Sequence, residues 1–181
     1  MCRKVNIQNA AMIYFQQKKF MLQHRIAQLK EKKLIGMMMP MNFANHQPHL
    51  LWQQFMPRRK EILNVVGSDL FSIEIFPDNF FEAFNPLTEF KKCAAIEVSD
   101  FDLIPIGMHS IIFPEGLYAV FIHHGSQEQA MKTYNYIFRE WIPQSGFSID
   151  NRPHFAVMGS KYKRDSDDSE EEIWIPIKHA S

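Results

Sequence analysis

Glu172 and Trp174 stand two positions apart at the start of the closing apolar run, Ile173 to Ile177. Alternate side chains of a strand share a face, so if Ile173 and Ile175 pack inward, a carboxylate and an indole look out together and can act on one ligand. Such a pair compensates a positive charge for lost water, and a cation over an indole contributes roughly 0.5 to 2 kcal/mol according to burial. Trp52, Phe55, Tyr118, Trp141 and Phe155 are the candidates to converge with it. For Trp52, Phe55 and Trp141 the same spacing serves the packing of a helix on a sheet. Glu172 also ends the acidic run Glu170 to Glu172, but strand alternation sets it apart from Glu171, which is expected to lie before the regular strand.

Other chemistries find no support. The seven glycines match neither a dinucleotide fingerprint nor a phosphate-cradling loop, and there is no G-x-S-x-G elbow or H-E-x-x-H helix. His123 and His124, adjacent in an expected strand, point to opposite faces and read as structural or surface residues rather than metal ligands. Cys2 and Cys93 form neither a CxxC pair nor a disulfide framework, so a reducing, cytoplasmic setting is expected, with no metal, no cofactor and no catalytic set. The apolar stretch Ala10 to Phe15 is too short for an export signal, and Leu34 to Met41 contains Gly36 and Pro40 and cannot cross a bilayer. Twenty basic residues balance twenty acidic ones, which argues against direct nucleic-acid binding and membrane attachment. Eight basic residues up to Lys33 face only Glu31, a pattern that fits a solvated appendage better than an arm for an acidic partner.

A site of this kind needs a scaffold, and 181 residues at 46% apolar and 22% charged are enough for one folded core. Sixteen Phe and eleven Met fill it with large rings and flexible thioethers, material for a Phe-rich core or an adaptable pocket. Residues 1–21 read as an N-terminal extension with helical spacing at Ala11, Met12 and Phe15, and residues 22–181 as the domain. Within it, strands are expected at Ile26–Leu29 and Leu34–Met41. A helix capped by Asn45 and interrupted by Pro57 follows, then strands at Phe71–Ile75 and Cys93–Val98. The second half repeats the order: strands at Met108–Phe113 and Leu117–His124, a helix opened by a Ser126/Gln129 capping box with Met131, Tyr134, Ile137 or Phe138, and Trp141 inward, and strands at Phe155–Met158 and Ile173–Ile177. Leu34 and Leu117, and Phe71 and Phe155, recur about 80 residues apart. The expected class is therefore α+β: two βαββ units, about 25–100 and 107–178, joined with pseudo-two-fold symmetry into a curved antiparallel sheet. Its helices lie on one face, with a ligand cleft between the halves.

The ordered set Leu34-Ile35-Gly36, Leu51-Trp52-Gln53-Gln54-Phe55-Met56-Pro57, Gly116 to Phe121, Trp141-Ile142-Pro143-Gln144-Ser145-Gly146, Arg152-Pro153-His154-Phe155 and Glu172-Ile173-Trp174-Ile175-Pro176-Ile177 resembles the gyrase-inhibitor-like family, the AraC-type effector-binding domain. The resemblance spans Arg25 to Lys178. It implies a duplicated βαββ fold whose central cleft binds small molecules, often amphipathic organic cations, with aromatic walls and a buried carboxylate. In many relatives the domain serves an attached DNA-binding module. Here about 25 residues precede the first strand, which resembles the stand-alone members. The family commonly carries an acid after Arg-Pro-His-Phe, where this chain has Ala156. Glu97, on the equivalent strand of the first half, could supply that charge, or it is a strand-surface residue.

The expected function is non-enzymatic binding of an amphipathic cationic small molecule, as a sensor or sequestering protein linked to transcription regulation or drug response. Two alternatives stand beside it: hydrolysis of strained cyclopropane-type electrophiles by a pocket Glu, and binding of a protein partner such as a regulator or a gyrase.

Overall fold

The computed structural model describes residues 22–126, 129–164 and 166–180. The N-terminal extension, with its expected helix, lies outside the described residues.

The elements follow one another as β1 (His24–Leu29), β2 (Lys32–Met41), α1 (Pro48–Arg58) with a 3-10 turn (Arg59–Glu61), β3 (Val65–Ile75), β4 (Phe90–Val98), β5 (His109–Phe113) and β6 (Gly116–His124). Next come α2 (Ala130–Tyr136), a π-helical turn (Ile137–Trp141), α3 (Ile142–Gln144), β7 (Phe147–Ile149), β8 (His154–Met158) and β9 (Glu170–His179). The strands form one antiparallel sheet in the order β1-β6-β9-β8-β3-β4-β2-β5, with β7 added on β9. The two repeats, β2-α1-β3-β4 and β6-α2-β8-β9, meet where β3 pairs with β8 and Ser72 lies opposite Ala156. The strand order reads the same outward from that seam in both directions, which is the expected pseudo-two-fold arrangement.

Helices α1 and α2 cover one face. Leu51 and Phe55, four apart on α1, are fully buried among Ile35, Ala94 and Ile96, while Ile137 seals Ala119, Phe121, Ile173 and Ile175 in the second half. The opposite face is not left open. Phe113 on the edge strand β5 stacks on Phe155 of β8 with ring centroids 4.5 Å apart, although β2, β4 and β3 separate the two strands in the sheet. Four strand spacings would hold them roughly 19 Å apart in a flat sheet, so the sheet curls back on itself. Its concave interior is filled: Leu34, Ile73, Cys93, Ala95, Phe113, Tyr118 and Val120 have no exposed surface. The meeting of the halves on this face is a packed core.

Several local expectations change. Helix α1 carries Pro48 in its first turn, but Gln47, not Asn45, holds the cap position, where no side chain bonds the backbone, and the helix runs through Pro57 to Arg58 before tightening. The Ser126/Gln129 capping box does not form: the Gln129 side chain donates to Asp167 instead. Met131 points to solvent at 67% exposure, and Ala130, Thr133 and Ile137 make the buried stripe. The π turn ends at Trp141, two residues before Pro143, whose missing N–H already leaves the Arg139 carbonyl without its α-helical partner. Strand β9 begins at Glu170 rather than Ile173, because β6 is long enough to pair His124 with Glu170 and His123 with Glu171. Glu171 is therefore part of the regular strand and faces the helices.

A candidate ligand site at the rim of the curled sheet

Four of the eight candidate residues come together. Trp174 and Phe155, directly opposite in the β8–β9 register, stack with centroids 5.3 Å apart and planes 15° from parallel. The Tyr118 ring meets both edge-on, at 5.4 and 5.9 Å. As alternation requires, Glu172 shares the Trp174 face, and the indole Nε1 donates to its Oε2 at 2.9 Å. Tyr118 and Phe155 belong to the packed interior, and Trp174 and Glu172, both half-buried, sit at the rim.

The free face of Trp174 already carries a cation. The Arg25 guanidinium of β1 lies 5.5 Å from the indole centroid, and its Nη2 reaches Glu172 Oε1 at 2.8 Å and Oε2 at 2.9 Å. With the arginine side chain 47% exposed and the glutamate 33%, solvent screens the pair to about 1 kcal/mol or less. A second arginine closes the inner end. Arg152 lies 4.6 Å over the Tyr118 ring, donates to the Leu117 and Ile177 carbonyls and pairs with Asp150. Gly116 permits this, since a Cβ there would occupy the place of the Arg152 guanidinium. Burial pushes the Tyr118 phenol up to about 12, and its hydroxyl donates to the Pro153 carbonyl.

The other four candidates lie elsewhere. Trp52 and Phe55 meet edge-on at 5.9 Å within the α1 core on the other face. Trp141 donates to His24 Nε2 at 3.1 Å and stands edge-on to Phe121, closing the core under α2. Glu97 accepts from Lys32 Nζ with both oxygens, at 2.8 and 2.7 Å, so its charge is already matched.

Beside the rim, β8 stops at Met158 while β3 and β9 continue, leaving a notch. It holds a pocket of about 330 Å³ lined by Asp69, Glu170, Glu171 and Glu172 around one cation, Lys161, together with Val157, Gly159 and Ser160. Lys161 is engaged by Glu170 at 2.8 Å, so negative charge is in excess. Among the described residues no three His, Cys, Asp or Glu side chains form a metal-binding group.

The helix face carries polar chemistry that sequence reasoning missed. Lys92 Nζ donates to Glu74 Oε1 at 2.9 Å, with only 7% and 14% of the two side chains exposed. Burial alone would raise the Glu74 carboxyl, but the charge and hydrogen bond of Lys92 hold it below its ordinary value. His154, opposite Glu74, is pushed by burial down to about 4. Burial lifts Glu171 to about 6, against the pull of Lys92. His123, as expected of a structural histidine, is buried and bonded to Thr133 Oγ1 and the Ser126 carbonyl. Of these residues the sequence reading placed Glu74 and His123 on strands and left Lys92, His154 and Glu171 just outside them, and no local pattern announced that Lys92 would be buried or that Arg25 would cross from an edge strand.

The comparisons with known proteins bear on the fold and the family. Residues 22–178 match the GyrI-like small molecule binding domain. The transcriptional regulator BrlR of Pseudomonas aeruginosa is 27% identical over 128 residues, 70% of this chain and 45% of that protein, so the chain spans less than half the length of this curated relative. Among solved structures, SAV2435 bound to tetraphenylphosphonium superposes with a TM-score of 0.66 at 18% identity, over 87% of this chain and 94% of that one. The C-terminal domain of EcmrR gives 0.65 at 16%, over 89% and 100%. A Listeria innocua hydrolase gives 0.55 at 12%, over 92% and 98%. No described helix is long and apolar enough to cross a membrane. A duplicated, curled sheet with helices on one face, matched over nearly its whole length, makes this chain a member of the GyrI-like small-molecule-binding domain family.

Proposed function

We propose that this domain binds an amphipathic organic cation at the rim, its charge between Trp174 and Glu172 and its apolar body along the β8–β9 edge beside the acidic notch. It would act as the sensing or sequestering part of a drug or toxin response, coupled to transcription as in regulators such as BrlR. The observation that carries the reading is Arg25: the chain's own guanidinium lies over the indole and on the carboxylate, the arrangement a ligand cation would adopt. Its exposure makes it a displaceable occupant. The tetraphenylphosphonium in the structurally similar SAV2435 supports a cation of that class.

Tetraphenylphosphonium titrated against tryptophan fluorescence tests it. Arg25→Ala, which removes the competing cation, tightens binding about tenfold, and Glu172→Gln weakens it by a similar factor, each near 1.4 kcal/mol. Equal affinities for wild type and both variants would remove the rim from consideration.

A further inference from the structure

The two ends of the sheet hold equivalent places in the two repeats and are built from different material. The strand order leaves β1 and β5 each paired along one side only. β1 reads His-Arg-Ile-Ala-Gln-Leu, and its Arg25 puts a charge on that edge. β5 reads His-Ser-Ile-Ile-Phe, with no Lys, Arg, Asp, Glu or Pro. Its pairing with β2 contains no bulge, since successive residues match without a break from Phe113 opposite Lys32 to His109 opposite Gly36. Charge, proline and bulges are the devices that keep an edge strand from pairing with another chain, and β5 has none of them.

Exposed apolar side chains gather beside the same edge. The connection from β4 to β5 leaves the sheet at Val98, level with Lys33 and Ile112, and returns at His109, level with Gly36, so it runs the length of β5. Leu103, Ile104 and Ile106 stand exposed on it, Ile106 at 93%. Leu63 and Val66 join them, because Asn64 is tied to that connection: its carbonyl accepts from the Ser99 N–H at 3.0 Å, and its Nδ2 donates to the Asp100 carbonyl at 2.6 Å. The Ile106 carbonyl in turn accepts from Arg58, at the end of α1, at 2.9 Å. Ile112 of β5 is itself 53% exposed, opposite Lys33, whose ammonium lies 5.9 Å over the Phe101 ring. These six residues together expose on the order of 700 Å², above the roughly 300–600 Å² of the largest patch on an ordinary monomer and close to the ~800 Å² that each partner brings to a standard interface.

We propose that this edge is the interface of a two-fold dimer of the chain, in which β5 pairs antiparallel with β5 of a second copy and the apolar connections cover the pair. A two-fold axis at Ile111 sets that residue against itself, Ser110 opposite Ile112 and His109 opposite Phe113. The row of backbone groups left unpaired in one copy then meets an identical row in the other. No like charges face each other at this register, whereas the same operation at β1 would set two Arg25 guanidinia on one ribbon. The residues of the rim take no part in the interface, so the dimer does not depend on the ligand reading.

Sedimentation velocity of the full chain, without ligand, tests it. Wild type sediments as two chains at about 100 µM and separates into single chains on dilution through a roughly micromolar Kd. Ile106→Glu and Ile112→Lys each weaken the association about tenfold or more while keeping the wild-type circular dichroism spectrum, because both side chains are exposed in the single chain. Met131→Lys, at an equally apolar exposed site on α2, leaves the Kd within about twofold. Hydrogen exchange reads the strand pairing itself: amides of β5 slow about tenfold between dilute and concentrated wild type, and those of β1 do not change. Wild type that stays a single chain at about 100 µM overturns the proposal. So does a dimer that survives both substitutions, or one in which β5 exchanges at the same rate at every concentration. Should Ile112→Lys not fold, Ile106→Glu, on the connection and not in the sheet, decides together with the exchange of the wild type.

Discussion

Laid on one another with Phe71 over Phe155, the two repeats use the same frame for different ends. In β4 the partners of Phe71 and Ile73 are Ala95 and Cys93; in β9 the residues opposite Phe155 and Val157 are Trp174 and Glu172. The first pair is small and fully buried, which lets β5 fold over and seat Phe113. The second pair is large and polar and remains at the rim. On the helix face the contrast reverses. The first half buries a charged pair, Glu74 with Lys92, whereas in the second burial disfavours charge on single groups, with His154 lowered to about 4 and Glu171 raised to about 6. Duplication supplied two equal frames, and side-chain volume and charge closed one of them into core and left the other's pair half-buried at the rim.

Breaking the charged pair gives the largest expected effect. Lys92→Met strands a buried carboxylate and lowers stability by about 3–5 kcal/mol in urea unfolding, while Glu74→Met with Lys92→Met recovers most of it. A double variant as unstable as the single one would mean that the pair does more than neutralise itself.

The pH dependence sharpens the contrast next. His154 is neutral in the fold down to about pH 4, while in the unfolded chain it takes up a proton near 6.5. The unfolded state therefore binds more protons in that window, and stability falls by about 3 kcal/mol as pH drops from 6.5 to 4. Glu171 acts in the opposite sense. Its raised value contributes stability that is fully present below about 4.5 and lost as pH rises through about 6. Glu74, held low, contributes stability above the ordinary carboxylate value that disappears only as pH falls through its own lowered one. Urea midpoints from pH 7 to 4 lose most of their acid slope in His154→Asn and steepen in Glu171→Gln; identical slopes in all three proteins would contradict the burial argument.

The smallest change tests the division of labour directly. Ala95→Leu overfills the concave core and costs about 1–3 kcal/mol with tetraphenylphosphonium affinity preserved. Trp174→Leu, at the equivalent place in the other half, costs less stability and removes the tetraphenylphosphonium response. Equal stability losses would erase the distinction between core and rim.

Periodicity and turn residues by themselves determined the element order, the duplication and the shared face of Glu172 and Trp174, because hydrophobic alternation along a strand dictates which side chains meet the helices. The sequence also marked Tyr118 and Phe155 as companions of that pair. It left undecided that Trp52, Phe55 and Trp141 would serve as helix packing and that Glu97 would be claimed by Lys32, since spacing names a face but not the neighbour across it. Only the tertiary structure closed the concave face, through a curl that brings β5 onto β8. Only it sent Arg25 from an edge strand to Trp174, and it turned Phe81, in what reads locally as a Pro- and Asn-rich excursion, against Phe138 and His154 of the other repeat. These contacts join residues separated by 42 to 149 positions in the chain, and at such distances partners are chosen by the packing of the whole sheet, not by any local pattern.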